Sequence, residues 1–128
     1  MILRKYMSLL GVGSANIDLI LPKESYQRGE VINGYFTITG GTIEQQLKRI
    51  DCDLVMQDDS THQKEVIGTT TILSSKLIQS DECNHISFSF MIPEKLSTSS
   101  EEISYHFRTR MTFNEGVESK DLDIIHVV

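Results

Sequence analysis

Four histidines, two cysteines and eighteen acidic side chains in 128 residues could furnish a metal centre or a hydrolytic site, if their spacing allowed it. His62 follows Asp58 and Asp59 in one polar stretch, and Cys83 stands just before His85. A closed zinc site takes four ligands at spacings such as C-x-x-C or H-E-x-x-H, and neither spacing occurs. These residues read as solvated turn residues, with no metal expected. Nucleophilic catalysis of the G-x-S-x-G type needs a serine on a strand-to-helix turn, and that motif is missing. The carboxylate pairs Asp58-Asp59 and Glu101-Glu102 lie in polar loops, where solvated charge is the default. Gly11-Val12-Gly13 precedes a strand, so no helix N-terminus stands there to hold a phosphate. The chain reads as a non-enzyme with no catalytic residue and no cofactor.

One charged pair remains. Arg108 and Arg110 occupy alternate positions of a strand and share its polar face. The first reading is ion pairing with carboxylates of a neighbouring strand, worth little energetically. The second is a small basic stripe that receives an acidic partner. On that second reading Arg108 and Arg110 are the candidate partner-binding residues.

The elements that position them are strands. In Ser14–Gly41, Ala15, Ile17, Leu19 and Leu21 alternate with polar residues, as in a strand with one buried face. Pro22 and Gly29 interrupt regular pairing in the connector. A second strand puts Ile32, Gly34, Phe36 and Ile38 on one face, and Gly40-Gly41 ends it. A glycine on an inward face makes room for a neighbour or marks a bulge. From Ile43 to Met56 two apolar phases meet at Lys48-Arg49, which a β-bulge reconciles by reversing the inward side. Gln57–Glu65 reads as a hairpin loop. Gly68 is a candidate bulge in the β-branched segment that follows.

Ile86, Phe88, Phe90 and Ile92 then share a face up to Pro93. Glu94–Glu102 reads as a flexible acidic loop. Ile103, Tyr105, Phe107, Met111 and Phe113 face inward opposite Ser104, His106, Arg108, Arg110 and Thr112. Leu122, Ile124, Ile125, Val127 and Val128 supply the apolar residues of the last segment. Roughly seven or eight strands with short polar connections predict an all-β fold, an antiparallel two-layer β-sandwich. Without Cys…Trp…Cys it is not a true immunoglobulin domain.

Residues 12–128 form that sandwich, and residues 1–11 are predicted to form a short amphipathic helix with Ile2, Leu3, Tyr6, Leu9 and Leu10 along one side. Its expected role is to cap an open end of the domain; weak membrane or partner docking is the lesser alternative. The opening segment is too short for a signal-peptide core or a bilayer span, so a cytoplasmic protein is expected. Cys52 and Cys83 read as two small buried thiols, with a disulfide between them the minor alternative. A net charge of -6 argues against a general nucleic-acid binder, because phosphates repel carboxylates.

The run Ser25-Tyr26-x-x-Gly29-Glu30-x-x-x-Gly34-x-x-x-Ile38-x-Gly40-Gly41, the Ile43-Glu44-Gln45 after it and the segment Ile86–Glu94 resemble the bacterial sporulation-control family of SpoOM type. Ser119–Val127 looks like the end of that family's first lobe. The resemblance implies an arrestin-like fold and a cytoplasmic, non-enzymatic regulatory scaffold that presents sheet edges and loops to other proteins. The leading expectation is therefore an adaptor acting through protein–protein interaction, with an open strand edge that also permits a homodimer. A small-molecule or carbohydrate-binding sandwich is the alternative, disfavoured because the aromatics point inward. A metal-dependent hydrolase ranks last.

Overall fold

Alternating apolar side chains build the strands Asn16–Ile20, Val31–Thr39 and Ile103–Phe113, whose inward faces are largely buried. The computed structural model describes residues 13–116 and 118–128. In chain order the strands are β1 (Asn16–Ile20), β2 (Ser25–Tyr26), β3 (Val31–Thr39), β4 (Gln45–Asp58), β5 (Gln63–Leu73), β6 (Leu77–Ile78), β7 (Cys83–Met91), β8 (Ile103–Phe113) and β9 (Glu118–Val127). Among the described residues there is no helix. The helix expected over residues 1–11 lies outside them.

The strands form a three-stranded sheet ordered β1-β3-β7 and a larger sheet ordered β2-β9-β8-β4-β5, with β6 paired to β4. Pairing is antiparallel throughout the long strands. The exception is β2, which runs parallel to β9. That short strand corrects the reading of Pro22–Glu30 as plain connector: two residues are too few to show a period. Tyr26 is buried there, and its hydroxyl donates to the Lys23 carbonyl oxygen at 2.8 Å.

The inward faces of both sheets share one apolar core. Ile17, Leu19, Ile32, Phe36 and Ile38 come from the smaller sheet; Leu47, Ile50, Leu54, Phe107 and Phe113 from the larger. Phe107 meets the Phe88 ring at 5.4 Å and the Phe90 ring at 5.5 Å, both edge to face. Phe88 meets Phe36 the same way at 5.3 Å, the geometry that ring quadrupoles favour.

The two phases of β4 are joined as expected. The β4–β8 register slips between Leu47 and Arg49, so Leu47 and Ile50 both face the core. A second slip in the β4–β5 ladder skips Ile67 beside Gly68. Two expectations need correction. Glu94–Glu102 is tied to the sheet, because the Tyr105 hydroxyl donates to the Ser97 carbonyl at 2.6 Å and the Ser99 N–H to the Val127 carbonyl at 2.7 Å. Of the cysteines, only Cys52 is buried; Cys83 is exposed, on the outer face of β7, and both thiols are free. Burial pushes the Cys52 thiol up to about 12, which leaves it protonated and unreactive.

The glycine-rich run explains itself as scaffold. Gly29 has a φ of 82° and its N–H donates to the Ile92 carbonyl at 2.7 Å. Glu30 accepts the Gln27 N–H at 2.9 Å, closing the turn before β3. The buried Gln45 side chain accepts the Ala15 N–H at 2.8 Å.

Candidate functional site

Arg108 and Arg110 lie where the β8 pattern puts them, exposed on the outer face of the larger sheet. The ladders set their neighbours. Arg108 stands between Asp53 of β4 and Leu122 of β9, and Arg110 between Asp51 and Lys120. The ion-pair reading is therefore met: Arg108 Nη2 lies 2.9 Å from Asp53 Oδ2, and Arg110 Nη2 lies 3.8 Å from Asp51 Oδ2.

The two pairs are not equivalent. Asp51 is already engaged by Arg49, whose Nε and Nη2 donate to its two oxygens at 2.9 and 2.8 Å. The Thr71 hydroxyl adds a third bond at 2.9 Å. These donors, Arg49 first, hold the Asp51 carboxyl below the usual carboxylate range against the opposing effect of burial. Arg110 is thus left at arm's length from a saturated acceptor. Lys120 makes no ion pair among the described residues. Asp53 accepts from Arg108 and from the Thr69 hydroxyl at 2.7 Å.

A hollow of about 310 Å³ lies among Asp51, Asp53, Arg108, Thr109, Arg110 and Lys120. With Arg49 alongside, four cations face two carboxylates on a chain whose net charge is -6. Beside the hollow, Leu122 and Ile124 are 58% and 66% exposed. His106 lies between Ile124 and Val55; burial, Lys64 and Arg108 push its pKa down.

Reading the sequence alone missed Lys120, Asp51 and Asp53 as parts of this face. It also treated Leu122 and Ile124 together with Ile125 and Val127. The inward parity of β9 belongs to Asp121, Asp123, Ile125 and Val127, which expels Leu122 and Ile124.

Parity also creates an acidic corner that no spacing announces. Asp18 of β1 meets Asp121 and Asp123 of β9, with carboxylate oxygens within 4.8 Å of one another. Asp121 accepts the Leu19 N–H at 2.9 Å, covering the edge of β1. Asp123 Oδ2 is buried without a hydrogen-bond partner among the described residues. Burial, then Asp121 and Asp18, push the Asp123 carboxyl up to about 7 from 3.8. Between those values the folded chain holds a proton that the unfolded chain has lost. Stability therefore falls as pH rises through this window and levels off above it. Asp123→Asn is expected to stabilise the chain above about pH 7 and to have little effect near the unfolded value. His106 acts oppositely below 6.5, but it is common to both chains, so their difference reports on the Asp18, Asp121 and Asp123 cluster. Urea unfolding of both at several pH values checks this; a difference that does not grow with pH contradicts it.

His62 lies in the β4–β5 turn with a φ of 57°, and His85 lies on β7, its Nε2 3.9 Å from Cys83 Sγ. No helix of the described residues is long and apolar enough to cross a membrane.

A family model described as SpoOM protein matches residues 3–128. The chain is 28% identical over 130 residues to the sporulation-control protein spo0M of Bacillus subtilis (strain 168), an alignment covering 97% of this chain and 50% of the relative. The crystal structure of the Bacillus subtilis Spo0M superposes with a TM-score of 0.81 and 26% identity, over 91% of this chain and 50% of that one. The chain thus spans about half the length of the curated relative it matches. Alkylpurine DNA glycosylase AlkC of Pseudomonas fluorescens, bound to DNA containing an abasic site analog, gives a TM-score of 0.53 at 16% identity, over 95% of this chain and 33% of that one. At that identity the likeness is one of fold.

Proposed function

The chain belongs to the SpoOM protein family, and from that membership we propose that it is a regulatory protein of the sporulation-control type. It works in the cytoplasm, without chemistry of its own, by holding other proteins. We read its two layers as a β-sandwich of arrestin type, with the outer face of the larger sheet as the contact surface.

One observation carries the reading: four cations share two carboxylates there, leaving Arg110 loosely held and Lys120 without an ion pair among the described residues, beside exposed Leu122 and Ile124. Arginine is enriched at contact surfaces, and unsaturated donors favour an acidic segment of a partner.

The double variant Arg110→Gln/Lys120→Gln keeps side-chain bulk and removes both charges. Tagged wild-type chains, used as bait in native extracts of the cells that produce them, are expected to recover partner proteins in at least about tenfold higher yield than the variant, the difference narrowing as salt rises. Equal recovery by a variant with an unchanged melting temperature would overturn the proposal.

A further inference from the structure

The edges of the two sheets are not equally protected. On β1 the Leu19 N–H is taken by Asp121 and the neighbouring Ala15 N–H by Gln45. The end of β9 is covered by β2. Edge strand β5 carries a register slip and the charges of Lys64 and Glu65. Bulges and charges are the usual means by which sheet edges resist further pairing.

β7 has none of these defences. Its nine residues, CNHISFSFM, contain no proline, lysine, arginine or carboxylate. They pair with β3 from Cys83 to Met91 without a slip. The Gly40 N–H donates to the Glu82 carbonyl, and the Ile92 N–H to that of Glu30. Even-numbered residues thus face β3, and by alternation Cys83, His85, Ser87, Ser89 and Met91 turn their backbone groups to the open side. Among the described residues no strand lies there. On the core face Ile86 and Phe90 are only partly buried.

We infer that β7 is the docking edge of this protein and that its occupant is the β7 strand of a second copy, antiparallel about Ser87. That register sets Ser87 against Ser87, His85 against Ser89 and Cys83 against Met91, with no like charges opposed. It also lays Ile86 beside Phe88 of the other copy, covering apolar surface that one chain leaves half open. The uncharged strand is where two chains of net charge -6 can meet with least repulsion. The inference is independent of the basic face, which lies on the other sheet.

Sedimentation equilibrium of the full chain is expected to show a dimer that grows with concentration. Ser87→Lys places two ammonium groups together on the two-fold axis, and should weaken that dimer at least about tenfold, while the melting temperature at dilutions where both chains are monomeric stays unchanged, since Ser87 is exposed. Met91→Cys, at a side chain 61% exposed, should form a disulfide-linked dimer through Cys83 of the other copy on mild oxidation. That link should vanish when Cys83→Ser is added. A monomer at every concentration overturns self-pairing and leaves the edge to a segment of a different protein. A dimer indifferent to Ser87→Lys overturns the assignment of β7.

Discussion

Replacing Phe107 with alanine is expected to remove about 3–5 kcal/mol of folding stability. Phe107 is fully buried, and its ring stands edge-on to both Phe88 and Phe90. It is the piece of the larger sheet that the rings of the smaller sheet close upon. Truncation removes the transfer free energy of the ring and leaves a void, because Phe88 is held on its other side by Phe36. Domains of this size are stable by only about 5–15 kcal/mol in total. Urea unfolding followed by circular dichroism should therefore show a large drop in midpoint with little change in slope. Phe107→Leu, which keeps most of the volume, should lose far less. A loss below about 1 kcal/mol for alanine would mean that the layers are not closed by these rings.

Gly40→Ala is expected to cost about 3 kcal/mol, through a different cause. Its φ is not positive, so backbone conformation does not require glycine. Space does: a methyl group there would overlap the Gln79 carbonyl oxygen and stand 2.9 Å from the Asp81 nitrogen. Both obstacles are backbone and cannot swing aside. Gly116 supplies the contrast, with a φ of 84° and nothing within 4 Å of the added carbon; alanine there should cost only about 1 kcal/mol of backbone strain. Chemical unfolding of both variants distinguishes crowding from conformation. Equal losses would contradict the close approach at Gly40.

These two positions illustrate what a sequence can disclose. Alternation in Ile103–Phe113 announced the inward face of β8, and the phase change at Lys48-Arg49 announced the bulge in β4, because both are local consequences of side-chain direction. Gly40 announced only that a strand ends. The chain it lies against is some forty positions further along, and no local pattern reports a contact with a distant backbone. The same limit hid β2, whose two residues find their ladder partners at His126 and Val127.

The candidate site was legible by halves. That Arg108 and Arg110 share the polar face followed from period two. That Asp51 is saturated by Arg49 and Thr71, while Lys120 is left over, depends on cross-strand register, which a single strand's sequence does not contain. Residues 122–127 hold two apolar phases, and choosing between them needed the buried positions of Ile125 and Val127.

The pairing of Ser25-Tyr26 with β9, about a hundred residues later, bears on how this fold is made. Leu19 leans on Asp121, Tyr26 lies beside Val127, and the Val128 N–H donates to the Tyr26 carbonyl. Strands β1 and β2, synthesised about a hundred residues before β9, thus wait for it before they can settle. At about 5–20 residues per second, the aromatic faces of β3 and β7 stay uncovered for seconds while β8 is still being synthesised. Long-range closure of this kind folds slowly, and in that interval the uncovered apolar strands are exposed to aggregation.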